Sequence, residues 1–381
     1  MQFSRTDSSE GEGTETPIRT VDRHVDGYPR SLVRWSSFEP GVNDMAKDED
    51  ATDKRKPKRA GGDWVGYRPE IKVLDCTIRD GGLMNDHAFH HETVKAVYDA
   101  CNDAGIDYIE LGYKSSKKIF APDAFGKWKF CDEDDLRRVV GDGEAAIKLS
   151  VMADAERTDY HTDILPSEQS VIDVVRVATY IHQVPTAIEM VKDAHDKGYE
   201  TTINLMAIST AQERELDVAL EELVETEAST IVLVDSYGSL YSEQIEYLTR
   251  KYLTYAKPAG VEVGIHCHNN QQLAYANTVQ AVIMGANRLD ASIAGLGRGA
   301  GNCPMELLIG FLHNPKFHLR PILNCIQDHV EPLREGMRWG YDIPYMITGQ
   351  LNRHPKDAMA FNSSDDRSGI VGFYDDMVEL D

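Results

Sequence analysis

From Ile71 to Ile293 the chain alternates short β-branched runs with amphipathic stretches eight times over, and few folds accommodate that rhythm. The runs are Ile71–Thr77, Tyr108–Leu111, Ile147–Met152, Val171–Ala178, Thr201–Met206, Thr230–Val234, Glu262–His268 and Arg288–Ile293. Between them lie stretches with helical spacing, among them Thr93–Ala104, Thr186–Lys197, Glu213–Glu225, Ser242–Ala256 and Leu273–Met284. Gly105, Gly198, Gly260 and Gly285 stand where such helices stop, because glycine takes the left-handed conformation that ends a helix without strain. Eight strand-helix units at intervals of roughly 25 to 40 residues predict an α/β fold of the (β/α)8 TIM-barrel type. A doubly wound dinucleotide fold fits less well, because no Gly-x-Gly-x-x-Gly follows the first strand.

The sequence reads as three parts: a flexible, disordered N-terminal leader over 1–69, a catalytic barrel over 70–315, and a short C-terminal helical extension with an acidic tail over 316–381. The leader is charged and lacks an apolar period, and Met45 within it is an alternative start. Its basic cluster Lys54–Arg59 follows acidic residues and reads as a solvated linker. The formal charge of −23 over 381 residues argues against nucleic acid or an anionic membrane as partner. No apolar signal segment and no bilayer-length run is present, which places the protein in the cytoplasm. The six cysteines show no paired spacing and are expected as buried thiols.

In a TIM barrel the chemistry gathers at the C-terminal ends of the strands. Polar residues concentrate at those positions: Arg79-Asp80-Gly81-Gly82 after the first strand, Asn204, Asp235-Ser236, His266 and His268, and the loop Gly295–Asn302. Side chains on a strand alternate between faces, so His266 and His268 project together and Cys267 projects away. A metal ion held by two imidazoles needs hard oxygen as well, and Asp80 is the first choice, with Asp75, Asp235 and Asp290 as rivals. Arg79 beside it offers a donor fork suited to a keto-acid carboxylate or an enolate oxygen.

Three stretches, Leu74–Gly82, Ile265–Asn270 and Ala294–Glu306, resemble the DRE-TIM metallolyases, the HMG-CoA-lyase-like or pyruvate carboxyltransferase-like barrels. Within that family Val175–Thr179 and Gly340–Tyr345 are similar to stretches of the 4-hydroxy-2-oxovalerate aldolases, and the resemblance spans Val73 to Tyr345. It implies a divalent cation held by Asp80, His266 and His268, with Asn302 as a fourth ligand; Mn2+ is the first choice, and Mg2+, Co2+ and Zn2+ are further candidates. It implies a carbon-carbon lyase, an aldolase, that cleaves or forms a 2-oxo acid through a metal-stabilised pyruvate-type enolate, with Arg79 stabilising the enolate. A C-terminal tyrosine closes the site in such enzymes, which makes Tyr341 and Tyr345 candidates. The general-base histidine expected two residues after Gly81 is Leu83 here, so His87 is the first candidate for that role, ahead of Asp86, His90 and His91.

The partners expected are a small 2-oxo acid and further copies of the chain in a homo-oligomer. The short acidic tail beyond Phe361 does not match the extension with which related aldolases dock an aldehyde dehydrogenase, so that docking is not expected. The alternative activity is an acyl-CoA/keto-acid condensing transferase of the isopropylmalate or homocitrate synthase type, and a third reading is a non-catalytic scaffold. Lys114, Lys117 and Lys118 after the second strand read mainly as a solvated loop.

Overall fold

Eight parallel strands close on themselves in sequence order in the computed structural model, which describes residues 68–141, 145–364 and 369–379. Met45, the Lys54–Arg59 cluster and nearly all of the leader lie outside the described residues. The strands are β1 (Lys72–Asp75), β2 (Tyr108–Tyr113), β3 (Lys148–Asp154), β4 (Val174–Thr179), β5 (Glu200–Leu205), β6 (Thr230–Asp235), β7 (Glu262–Cys267) and β8 (Arg288–Ala291). Closure is made by β1 against β8, in register from Lys72 opposite Arg288 to Asp75 opposite Ala291. The eightfold rhythm of the sequence is thus the barrel itself.

The strands are buried on both faces, but the faces differ in kind. Val73, Ile109, Leu111, Val151, Val175, Val177, Ile203, Ile231, Leu233, Val263 and Ile265 join the large apolar core shared with the surrounding helices. Each such side chain contributes about 1.5–3 kcal/mol when fully buried. Alternate residues form only small apolar clusters of their own, Leu74, Cys76, Tyr108 and Val174 in one and Tyr113, Met152 and Ala178 in the other. Glu110, Ser150, Arg176, Asn204, His266 and Asp290 share this second set of positions, and all are buried. The period of two therefore places apolar residues against helices and charged ones inside the barrel.

The first strand is shorter than the sequence suggests. It ends at Asp75, and Thr77–Gly81 forms a helical turn that carries Arg79 and Asp80. Asp75 explains the early stop, because its carboxylate accepts from the Thr77 hydroxyl at 2.6 Å and from the Thr77 amide at 3.1 Å. Burial raises the Asp75 carboxyl to about 7 against the effect of those bonds. At the other seam β7 ends at Cys267, and His268 instead forms an isolated antiparallel bridge with Asn302.

Beyond the barrel, helices Leu319–Cys325, Ile343–Gln350, Lys356–Ser363 and Ile370–Glu379 make the C-terminal extension. Among the described residues no helix is long and apolar enough to cross a membrane. All six cysteines are buried free thiols.

Candidate metal centre

Asp80, His266 and His268 converge at the C-terminal end of the barrel, each with a ligand atom within 4.8 Å of the others, and all three are buried. The two rings lie edge to face with centroids 5.1 Å apart, while Cys267 packs in the outer core, as strand alternation requires. His266 Nδ1 lies 3.0 Å from Asp290 Oδ2. A carboxylate bonded to one ring nitrogen leaves the other, Nε2, for a cation and fixes the tautomer that presents a lone pair there. Asp290, a rival ligand at the level of sequence, sits behind the histidine.

Asp80 is engaged on both oxygens. Oδ1 accepts from Arg79 Nη1 at 2.6 Å, and Oδ2 accepts from Asn302 Nδ2 at 2.9 Å and from the Arg298 amide at 3.0 Å. Burial favours the protonated acid, but the electropositive surroundings made by the His268 ring, the Arg79 guanidinium and the His266 ring outweigh it and hold the carboxyl well below the usual carboxylate range. Burial also keeps His268 well below the ordinary histidine value, so both groups are in the form that binds a cation.

The donor set fits a divalent cation on a further ground. His268 Nδ1 and Asn302 Oδ1 are buried and make no hydrogen bond. Buried polar atoms are ordinarily paired. One carboxylate, two imidazoles and an amide oxygen suit an ion of the Mn2+ or Zn2+ kind. Gly297 makes room for this arrangement: a Cβ there would lie 2.2 Å from Asn302 Nδ2 and 2.5 Å from Asp80 Oδ2.

Arg79 is aimed by its neighbours. Its Nε donates to Glu110 Oε2 at 2.6 Å, and the same oxygen lies 3.2 Å from Arg176 Nη1. Arg176 Nη2 in turn donates to Asp290 Oδ2 at 2.6 Å. A buried chain of alternating charge, Arg79, Glu110, Arg176, Asp290, thus runs across the barrel interior to His266. Losing one member strands a buried charge, at a cost of about 3–5 kcal/mol. Asp290 is held at about 2; burial works against this, and Arg176 and His266 prevail.

A cavity of about 60 Å3 opens above the triad, lined by Arg79, Asp80, His266, His268 and Arg298 together with Leu83, Tyr113, Met152, Tyr180, Asn204, Met206, Val234, Ser236, Tyr237 and His354. A larger groove of about 500 Å3 shares Tyr180 and Met206 but none of the candidate ligands. Leu83 does face the site. His87 does not line it: its ring is 2 % exposed, packs edge to face on Tyr113 at 5.3 Å, and is pushed down to about 3 by burial. Asp86 and His90 are exposed and His91 is half-buried, and none of the three lines the cavity.

Neither C-terminal tyrosine lines the cavity. Tyr341 is 63 % exposed, and Tyr345 is buried where its ring lies against Gly299 and Ala300. The tyrosines in the wall are Tyr113, Tyr180 and Tyr237. Lys114, read as part of a solvated loop, is buried and donates to the Cys131 carbonyl at 2.8 Å and to Glu133 at 3.2 Å. Lys117 and Lys118 pair with Asp132 and Asp159. Among the residues that sequence reasoning missed are Glu110, Arg176, Gly297, the Arg298 amide and guanidinium, and His354.

Residues 70–328 match the HMGL-like family model. The chain belongs to the HMGL-like family. This HMGL-like chain is 29% identical over 274 residues to a 4-hydroxy-2-oxovalerate aldolase of Pelotomaculum thermopropionicum, covering 71% of this chain and 78% of that one. It is 31% identical over 245 residues to an oxaloacetate decarboxylase of Mycobacterium tuberculosis, covering 63% of this chain and 69% of that one. Among solved structures, the N-terminal domain of a protein described as an aldolase from Bacteroides vulgatus is 28% identical with a TM-score of 0.66, covering 79% of this chain and all 100% of that one. An HMG-CoA lyase from Brucella melitensis is 16% identical with a TM-score of 0.57 over 70% of this chain and 99% of that one, and shares the fold.

Proposed function

We propose that this HMGL-like protein is a divalent-metal-dependent carbon-carbon lyase, an aldolase that cleaves or forms a 2-oxo acid. The observation that carries the reading is the buried triad of Asp80, His266 and His268 with the Arg79 guanidinium bonded to Asp80 at 2.6 Å. Asp80, His266, His268 and Asn302 would hold the cation, with Mn2+ the first choice for this donor set. When bound, the cation supplies Lewis-acid polarisation of the substrate's carboxylate and 2-oxo oxygens. Arg79, fixed by Glu110 and Asp80, stabilises the negative charge that builds on the 2-oxo oxygen as the bond between C3 and C4 breaks. Leu83, Met152, Met206 and Val234 keep water from that charge and strengthen each polar contact.

Leu83 favours a second substrate class for the same site. Retro-aldol cleavage requires a base for the C4 hydroxyl proton, whereas a 2-oxo diacid loses CO2 from a carboxylate that has no proton to give up. An apolar side chain in the wall suits the second case, and one relative is named as an oxaloacetate decarboxylase.

Pyruvate release would be followed with Mn2+ and either 4-hydroxy-2-oxo acids or oxaloacetate, and free thiol with acetyl-CoA and 2-oxo acids. Pyruvate released by the wild type and lost in His266→Ala is the expected result. Thiol release without pyruvate would establish the condensing transferase instead.

A further inference from the structure

The barrel does not build the whole wall of its own cavity; one side comes from the chain that follows it. Helix Ile343–Gln350 docks on the barrel mouth, where Asn270 Nδ2 lies 3.4 Å from the Tyr345 carbonyl. The fit is close, since a Cβ on Gly349 would lie 3.0 Å from the Asn270 Cβ. Asn352, in the left-handed conformation with φ 50°, then ties the next turn to two barrel loops. Its Oδ1 accepts from Ser239 Oγ at 2.8 Å and its Nδ2 donates to the Ser209 carbonyl at 3.0 Å. The Arg353 amide bonds back to the Thr348 carbonyl at 2.8 Å.

This turn delivers His354 into the cavity wall, edge to face with Tyr237 at 5.6 Å. Its Nδ1 accepts from the Lys356 amide at 3.0 Å. That bond puts the ring proton of the neutral imidazole on Nε2. Burial, with Arg298 and Lys356 nearby, holds the ring down to about 4, so it is neutral near pH 7. A neutral imidazole with Nδ1 occupied by a backbone amide is a hydrogen-bond donor and nothing else. The donors at the metal end, Arg79 above all, serve the 2-oxo group. A second fixed donor in the same small cavity serves the other end of the substrate.

We propose that His354 is a catalytic residue of this site, donating from Nε2 to the oxygen on C4 of a 4-hydroxy-2-oxo acid, the carbon that departs as the aldehyde. The proposal rests on the lyase reading above. In cleavage the C4 hydroxyl gives its proton to water, the alkoxide oxygen forms the aldehyde carbonyl as the bond between C3 and C4 breaks, and that bond's electron pair passes to the enolate. Condensation runs the same steps backward. The imidazole stays neutral, transfers no proton, and stabilises the negative charge on that oxygen.

The test uses full-length protein loaded with Mn2+, and two readouts. The first is kcat/KM for pyruvate release from 4-hydroxy-2-oxo acids; the second is the Kd of oxalate, which imitates the enolate end and has no C4. His354→Ala is expected to lower kcat/KM by about 100-fold, mostly in kcat, as loss of one oxyanion donor does in other enzymes. Oxalate affinity should not move. His354→Gln, which can place an amide donor near the lost Nε2, should recover part of the loss. Unchanged kcat/KM in His354→Ala, oxalate binding that falls in step with activity, or His354→Gln no better than His354→Ala would each overturn the proposal. A wild-type protein that neither binds oxalate nor releases pyruvate would overturn the lyase reading and this proposal with it.

Discussion

Asp290 stands behind His266, its Oδ2 3.0 Å from the Nδ1 of that ring, and the same oxygen accepts from Arg176 Nη2 at 2.6 Å. One carboxylate oxygen therefore orients a proposed metal ligand and closes the buried charge chain that begins at Arg79. Asp290→Asn keeps the volume and removes the charge. Loss of a partner of this kind is expected to weaken Mn2+ binding by about 10–100-fold, measured by isothermal titration. Binding as tight as in the wild type would show that Asp290 only neutralises Arg176.

Gly297 predicts a sharper effect from a smaller change. An added Cβ would meet Asn302 Nδ2 at 2.2 Å and Asp80 Oδ2 at 2.5 Å, distances that no real side chain tolerates. In Gly297→Ala the Asp80 carboxylate or the loop must shift. Stoichiometric Mn2+ retention should be lost while the far-ultraviolet circular dichroism of the barrel is kept. Full retention of Mn2+ in this variant would place the cation elsewhere.

Both of these residues show what the sequence displayed and what it hid. His266 and His268 were legible because the strand period of two puts them on one side, and Asp80 because it follows the first strand of an eightfold repeat. Glu110 and Arg176 were not assigned, although Ile109-Glu110-Leu111 and Val175-Arg176-Val177 each set a charge between apolar residues. A charge on a strand buried on both faces needs a buried partner, and that signal was available. Gly297 lay within a glycine-rich loop whose path no periodicity describes. His354 was invisible for a different reason: it reaches the cavity only because a helix more than fifty residues past the last strand, roughly a loop-docking matter of tertiary packing, returns to the barrel mouth.

The buried His87 sets a pH dependence of stability that is separable from the metal. Its folded value is about 3, lowered first by burial and then by Lys129 and Arg79, against 6.5 for the unreserved ring. Between those two values the unfolded chain binds a proton that the folded one does not. Stability is therefore complete above about pH 6.5 and falls as pH drops toward 3, by up to about 1.4 kcal/mol per pH unit from this group. Urea unfolding of chelator-treated protein at pH 7, 6 and 5 should show a shallower decline in His87→Gln than in the wild type. Parallel profiles would mean that the ring titrates normally in the folded protein.

Leu83 is where substrate choice becomes testable. It is half-buried in the cavity wall and packs with Tyr113, Met152 and Ala178, so a histidine placed there would have apolar neighbours. Such neighbours favour the neutral ring, which is the form able to accept a proton. Leu83→His therefore supplies a base where retro-aldol cleavage needs one and decarboxylation does not. The rate of pyruvate release from 4-hydroxy-2-oxo acids should rise by about 100-fold, the lower end of what a positioned base contributes. Loss of CO2 from oxaloacetate should not rise, because no proton is removed in that step. An equal gain on both substrates would mean that the substitution acts through packing, and no gain on either would mean that the hydroxyl proton already leaves by another route.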